Sequence, residues 1–421
     1  MTETDNSKRN VLKAAKELGI CIFIALVLLM MDRGLENIYP FFLYATGKRI
    51  VDLWISFEMH MHVWLKWAVP VLFVIWLIRN KFQVHLGLLI PIAGVYFCYL
   101  ITSCLSSGYT FRWWNTTELP FIMYLFLTTQ CSSLKRVQRL AFTGTVLYSI
   151  LLILNAVFIF FPQLYQYISG WAPEYFLSAD NLTGFPMFFG LLLSFLDGYY
   201  NHSKWRMYVY FGLFFLNMAL IHCASALIGC LIIILYLTIP FIRKLFSEWN
   251  FHRFTIISFA FCIFIVLTAY FFYSDGNAPQ WLYDFTRGKR SILIRFIIWC
   301  GVFMEILEKP LLGYGLGEDA SFFARPNTSL YYNAHNAYLQ TLHEGGIVTI
   351  AAVVIVLILF SCILKKCRNR KAVGFFSAVA FSELMMMQSA ITSWFTWYPF
   401  FAIIQIASLV CILEDNDIET V

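Results

Sequence analysis

The stretch GIVTIAAVVIVLILFSCILKKCRNRK, residues 346–371, decides the class of fold. It carries no charge from Gly346 to Leu364, then five cations: Lys365, Lys366, Arg368, Arg370 and Lys371. An apolar run of about 20 residues is long enough to cross a hydrocarbon core as a helix, and cations crowded at one end mark its cytoplasmic side. Runs of this kind recur along the chain. Of 421 residues, 60% are hydrophobic, 19% aromatic and only 13% charged. Soluble domains are about one quarter charged, so an ordinary water-soluble globule is excluded. An outer-membrane barrel would show alternating segments of about 10 residues, which are absent here. The net charge of +6 is no argument for a nucleic-acid partner, because in such a chain the position of the charge matters more than its total. Eleven Cys are scattered without a Cys-x-x-Cys pair, so neither a zinc site nor a disulfide framework is indicated.

Twelve spans can be placed, beginning near Val11, His62, Leu86, Pro120, Leu140, Leu182, Met207, Ala224, Phe254, Gly346, Val373 and Pro399. Nineteen of the 30 basic residues then fall in alternating short loops, which the positive-inside rule makes cytoplasmic along with both termini. The polar residues 1–10 lead into the first apolar run without a small-residue cleavage site, so a retained first helix is expected. Residues 291–308 are apolar enough to pass for a thirteenth span. A single crossing there would turn Lys365–Lys371 outward, so 274–345 must hold zero or two crossings, and zero is simpler. The expected fold is an all-α polytopic membrane protein of about 12 transmembrane helices, one integral membrane domain over 1–421. Its one large outer loop, 274–345, contains a short interfacial helix and carries the chemistry; loops this long are usually functional.

Three features of that loop bear on function. Arg295 sits in the apolar helix 292–307, one turn from Trp299. A guanidinium there is costly without an anion. Arg287, Lys289 and Arg290 lie just upstream, at a helix start where cations oppose the macrodipole, and a phosphate or pyrophosphate would relieve both conflicts. Snorkelling, or pairing with Glu305 or Asp284, is the competing reading. The run Pro310-Leu-Leu-Gly313-Tyr-Gly315-Leu-Gly317 ends the helix in a glycine-rich turn. It follows a helix, so it is no dinucleotide fingerprint, and taken alone it reads as a structural turn. His335 precedes the next span, with Asn333, Asn336, Tyr338 and Leu339 around it. An imidazole there is either a general base, general acid or phosphate ligand, or a structural hydrogen-bonder.

These residues in this order resemble the O-antigen ligase and O-antigen polymerase family of envelope glycosyltransferases. The shared pattern is Arg295-x-x-x-Trp299, the turn from Pro310 to Gly315, His335-Asn336-x-x-Leu339, and Glu344-Gly345-Gly346 at the entry to the next helix, over about 60 residues. The chain departs from the family at two places. Cys223-Ala-Ser225-Ala226 keeps a Ser but lacks the Arg of a middle-helix motif, and Gly184-Phe185 lacks a preceding Arg. The resemblance implies that Arg295 contacts a lipid-linked pyrophosphate and that His335 is the other essential residue. A second phosphate-binding Arg would be Arg290, Arg287 or Arg325, and Trp299, Asn336 and Tyr338 would complete a substrate-binding set.

The implied reaction joins undecaprenyl-pyrophosphate-linked repeat units into a surface polysaccharide at a bacterial inner membrane. Donor and acceptor are lipid-linked glycans, and a chain-length regulator is a conceivable partner. No Asp-x-Asp occurs in an outer loop, so no metal or other cofactor is expected. Ligation to a lipid or protein acceptor shares the same donor chemistry. A lipid-linked sugar transporter or flippase is disfavoured, since the apolar runs are nearly free of charge. Glu383 is the clearest exception, and a helix-to-helix hydrogen bond is expected for it.

Overall fold

The computed structural model describes residues 3–31, 48–106, 110–161, 167–168, 173–174, 184–273, 280, 290–316, 320–325, 328–389 and 397–419. Segments 32–61, 107–119, 162–181 and 392–398, which the alternation of basic loops puts on the outer side, and the upstream cations Arg287 and Lys289 lie partly or wholly beyond them. The helices are α1 (Glu3–Met31), α2 (Lys48–Arg79), α3 (Leu89–Ser106), α4 (Thr110–Gln130), α5 (Leu134–Phe160), α6 (Gly184–Tyr200) and α7 (Lys204–Ile221). Then follow α8 (Ala224–Thr238), α9 (Pro240–Glu248), α10 (Phe251–Tyr273), α11 (Arg290–Glu308), α12 (Ala337–Lys366), α13 (Arg370–Met386) and α14 (Tyr398–Glu419). Each of the twelve expected spans falls on a helix. Among the described residues, five helices are long and apolar enough to cross a membrane, or six if α8 and α9, bent by 102°, form one broken span. The chain is thus a predominantly α-helical, multi-pass membrane protein.

Two compact units can be distinguished. The first comprises residues 1–84 and 125–223. Within it α5, α6 and α7 approach closely at glycines: a Cβ on Gly190 would meet the Tyr210 hydroxyl at 2.3 Å. Its most strongly polar buried side chains are paired, as burial demands, whereas the Thr143 and Ser203 hydroxyls have no partner among the described residues. Asn155 Nδ2 donates to Asn217 Oδ1 (2.8 Å), and the fully buried Asp197 accepts two bonds from Arg206 (2.7 and 2.9 Å).

The second unit comprises 85–124 and 224–421 and holds the long loop. The loop corrects the sequence expectation. Beside the helix, here 19 residues long as α11, it contains an antiparallel hairpin of β1 (Ala320–Arg325) and β2 (Thr328–Tyr332). The register pairs Arg325 with Thr328 and Ala320 with Tyr332. The signal lay in the sequence: two short aromatic-rich runs, Phe322-Phe323 and Leu330-Tyr331-Tyr332, flank Pro326-Asn327, a turn pair. Arg325 is therefore a strand residue.

A bend in α12 organises this unit. Tyr338 and Ser361, near its two ends, both touch α10, at Ser258 (2.8 Å) and at the His252 amide (3.1 Å). A straight helix would separate them by about 35 Å, whereas the α10 positions are about 10 Å apart. The limbs 337–345 and 347–366 therefore cannot be collinear, and the break falls at Gly346, with φ 62° and ψ −167°. Breaking a helix strands backbone groups on both sides. The 310–315 turn takes them up. Tyr314 N–H donates to the His343 carbonyl (2.7 Å) and Gly315 N–H to that of Glu344 (2.9 Å). In return Ile347 N–H donates to Pro310 (2.8 Å) and Val348 N–H to Leu311 (3.3 Å). The turn is thus a backbone splice. From α3, Ser106 Oγ donates to the Gly313 carbonyl and Ser103 Oγ accepts from Leu316 N–H, each at 2.9 Å.

Glu383 departs from expectation. It is fully buried in α13, and neither carboxyl oxygen has a hydrogen-bond partner among the described residues.

Two predictions arise. At Gly346 a Cβ would meet the Leu311 carbonyl oxygen at 2.2 Å, on a backbone that L-residues rarely adopt. Gly346→Ala is expected to cost about 2 kcal/mol or more. Gly94→Ala, with nothing within 4 Å, should hold or raise the thermal midpoint. An unchanged midpoint for Gly346→Ala contradicts the splice. For Glu383, an apolar replacement removes an unpaired buried group, so Glu383→Leu should raise the midpoint; a fall would mean that the carboxyl has a partner.

Candidate active site

The site is built where α11 and the start of α12 meet. Along α11, Arg295, Trp299, Val302 and Ile306 recur at spacings of four, three and four, forming one helical face. Trp299, Val302 and Ile306 are buried, and Arg295, one turn before the tryptophan, is half-buried. The Trp299 indole N–H donates to the Ala334 carbonyl (2.9 Å). That bond ties the Arg295 face of α11 to the residue just before His335.

Residues 333–336 are held from several sides. His335 adopts a left-handed backbone (φ 44°), uncommon outside glycine. Its N–H donates to Asn333 Oδ1 (3.3 Å). Asn336 is the N-cap of α12, its Oδ1 accepting from the Tyr338 and Leu339 amides (2.9 and 3.1 Å). Its Nδ2 donates to the Gln388 carbonyl (3.0 Å), and Ala337 N–H donates to Met387 (2.8 Å). Gln388 Nε2 in turn donates to Ser258 O and Oγ (each 3.0 Å). The Tyr338 hydroxyl also meets Ser258 Oγ (2.8 Å) and the Leu384 carbonyl (3.3 Å). On the other side the Ala334 amide donates to Gln340 Oε1 (2.8 Å), and Gln340 Nε2 donates to the buried Glu344 (2.9 Å). Nearly every neighbour of His335 is thus committed to holding the backbone. The imidazole itself is half-buried, and neither ring nitrogen has a hydrogen-bond partner among the described residues.

The contacts to Ser258 and Cys262 fall midway along α10, whose span runs from Phe251 to Phe271. The loop therefore does not remain beyond the end of that helix. Its last residues fold back about 15 Å along it, which recesses the His335 segment among helices.

Arg295 lies within electrostatic reach of His335. Burial is the main cause, and the guanidinium the second, of a His335 pKa held down to about 4 from its ordinary 6.5. At neutral pH the imidazole is uncharged, able to accept a proton, and stands beside a fixed cation. The unfolded chain takes up that proton near pH 6.5 and the folded chain only near 4. Acidification through this window therefore favours unfolding, and above 6.5 the group makes no difference.

The other residues of the predicted set fall into three groups. Trp299, Asn336 and Tyr338 are buried, and their polar atoms bond to protein. Arg290 opens α11 and Arg325 ends β1. Arg287 lies outside the described residues. Ser258, Gln340 and Gln388 were missed by sequence reasoning. Gln340 and Glu344, four apart on one helix, offered a local signal; Ser258 and Gln388 offered none, because their contacts are long-range.

Residues 209–354 match the family model described as O-antigen ligase. The match takes in Arg295, Trp299, the 310–315 turn, His335 and the Gly346 bend, the motifs that carried the family resemblance. No curated protein matches the chain.

An NMR titration of histidine-labelled protein in lipid nanodiscs checks the geometry. The His335 resonance should titrate near pH 4, and titration near 6.5 would contradict its burial beside Arg295.

Proposed function

From the match of residues 209–354 to the O-antigen ligase family model, we propose that the protein is a membrane glycosyltransferase that polymerises lipid-linked oligosaccharide repeat units into a surface polysaccharide. The donor is an undecaprenyl-pyrophosphate-linked glycan and the acceptor a second lipid-linked unit, at a bacterial inner membrane crossed about twelve times with both termini cytoplasmic. The observation that carries this reading is an uncharged imidazole within electrostatic reach of a guanidinium, in a recessed segment whose other residues are locked to the backbone.

In the reaction an acceptor hydroxyl attacks the anomeric carbon of the donor. The bond from that carbon to the diphosphate oxygen breaks, and its electron pair leaves with the diphosphate. Arg295 meets the growing negative charge with a planar, bidentate donor, which is where electrostatic stabilisation counts most. His335 takes the hydroxyl proton, a role that its low pKa leaves open at neutral pH. Trp299, Asn336 and Tyr338 position these two groups. Arg290, Arg287 and Arg325 are the candidates for a second cation on the diphosphate. The recess alongside α10 supports a donor whose diphosphate stays close to its own lipid tail.

A second reading is ligation, in which the same donor chemistry delivers glycan to a lipid or protein acceptor. The description of the matched family favours it. Purified protein supplied with a lipid-linked repeat unit separates the two: a ladder of lengthening chains plus free lipid diphosphate marks polymerisation. A single transfer, seen only when a different acceptor is added, marks ligation. Arg295→Ala and His335→Ala should each lower product formation by about 100-fold or more at normal expression. Wild-type chain lengths from either variant would remove that residue from the site.

A further inference from the structure

A second histidine stands in the same seam, and the proposed reaction leaves it without a role. His343 is 2% exposed, and its Nε2 lies 2.8 Å from Glu305 Oε2 near the far end of α11. The Tyr314 ring stacks on the imidazole at 4.8 Å and 16°, while Lys309 Nζ sits 4.3 Å over the tyrosine ring. The Tyr314 hydroxyl reaches Glu308 Oε2 (3.0 Å), and its amide donates to the His343 carbonyl. His343 is therefore gripped by its ring edge, its ring face and its backbone.

The geometry explains what such a grip would do. Trp299 meets Ala334; six residues further along α11, Glu305 meets His343, nine residues further along the chain in the same direction. Six helical residues rise about 9 Å, and the two contacts advance in the same direction along both segments, so α11 runs side by side with residues 334–343. One contact alone is a pivot about which α11 can swing or slide. Two fix its line. Arg295 hangs one turn beyond the Trp299 contact, so a displacement at Glu305 is carried to the guanidinium by a rigid helix.

We infer that His343 and Glu305 are positioning residues, whose contact sets the register of α11 against α12 and thereby holds Arg295 against His335. The inference rests on the proposed roles of Arg295 and His335, and a buried pair far from the reacting atoms would act on rate only through them.

The test uses full-length protein in nanodiscs, with His343→Gln and Glu305→Gln, both close in size to the native side chains. Each is expected to lower kcat roughly 10- to 100-fold, because small misplacements of a reacting group cost that much. The KM for the lipid-linked donor should move far less, and rates are normalised to folded protein. The swap Glu305→His with His343→Glu, which restores the pair, should recover most of the loss. In an Arg295→Lys background the effect of His343→Gln should shrink to about twofold or less, since residues acting through one group are not additive. Independently of turnover, the His335 resonance in His343→Gln should titrate higher than in the native protein, as the arginine moves away. Native kcat in both single variants, an equal loss in both backgrounds, or an unmoved His335 titration would each overturn the inference. Failure of the catalytic reading shows differently: Arg295→Ala would turn over normally, while the titration arm would still report the register.

Discussion

Four backbone hydrogen bonds at the Gly346 bend hold the functional half of this protein together. A helix broken inside a bundle strands two carbonyls and two amides, and each stranded group in an apolar setting costs several kcal/mol. The turn 310–315 supplies the complement to all four. It can do so only because Gly313 and Gly346 let the two backbones approach: a Cβ on either would come within 2.5 Å of a facing carbonyl oxygen. With the splice in place the short limb of α12 is set at an angle to the long one. The residues before it can then enter the bundle, and α11 lies alongside. Without it there is no reason for Arg295 and His335 to meet.

The electrostatics follow from that placement. A neutral histidine within electrostatic reach of an arginine is a configuration that burial and charge both enforce, and it leaves a recess that holds a cation and an open proton acceptor. Such a recess is poor for cations and well suited to a leaving group that gathers negative charge. The polar atoms around it are spent on the backbone, through Asn336, Gln388, Ser258 and Gln340, so the recess keeps its shape as its charge changes. This is preorganisation in the physical sense: the donors are oriented before the substrate arrives.

Much of this was legible in the sequence, for reasons that differ from residue to residue. The runs such as 347–364 and the basic loops after them identify helices because hydropathy and charge are local properties. Arg295 and Trp299 share a face because helical spacing is local too. The glycine-rich turn reads as structural, and it is. The hairpin at 320–332 was missed because its aromatic runs are short and lie between long helices. The packing of His343 against Glu305, and of Asn336 against Gln388, could not be read at all. Those pairs are separated by 38 and 52 residues, and nothing in either neighbourhood names the other. Glu383 shows the opposite failure: an acidic residue in an apolar run implied a partner, and the surrounding helices offer it none among the described residues.

The central claim is that a diphosphate is bound between one guanidinium and one imidazole. The most direct measurement is an electron cryo-microscopy map of the protein in nanodiscs with a polyprenyl diphosphate sugar whose anomeric oxygen is replaced by a methylene group, so that the bond from sugar to diphosphate cannot be cleaved. The account predicts diphosphate density within about 3 Å of the Arg295 guanidinium nitrogens, with the sugar directed toward His335. Well-defined density for the diphosphate elsewhere in the protein, with Arg295 turned to a protein carboxylate instead, would contradict it.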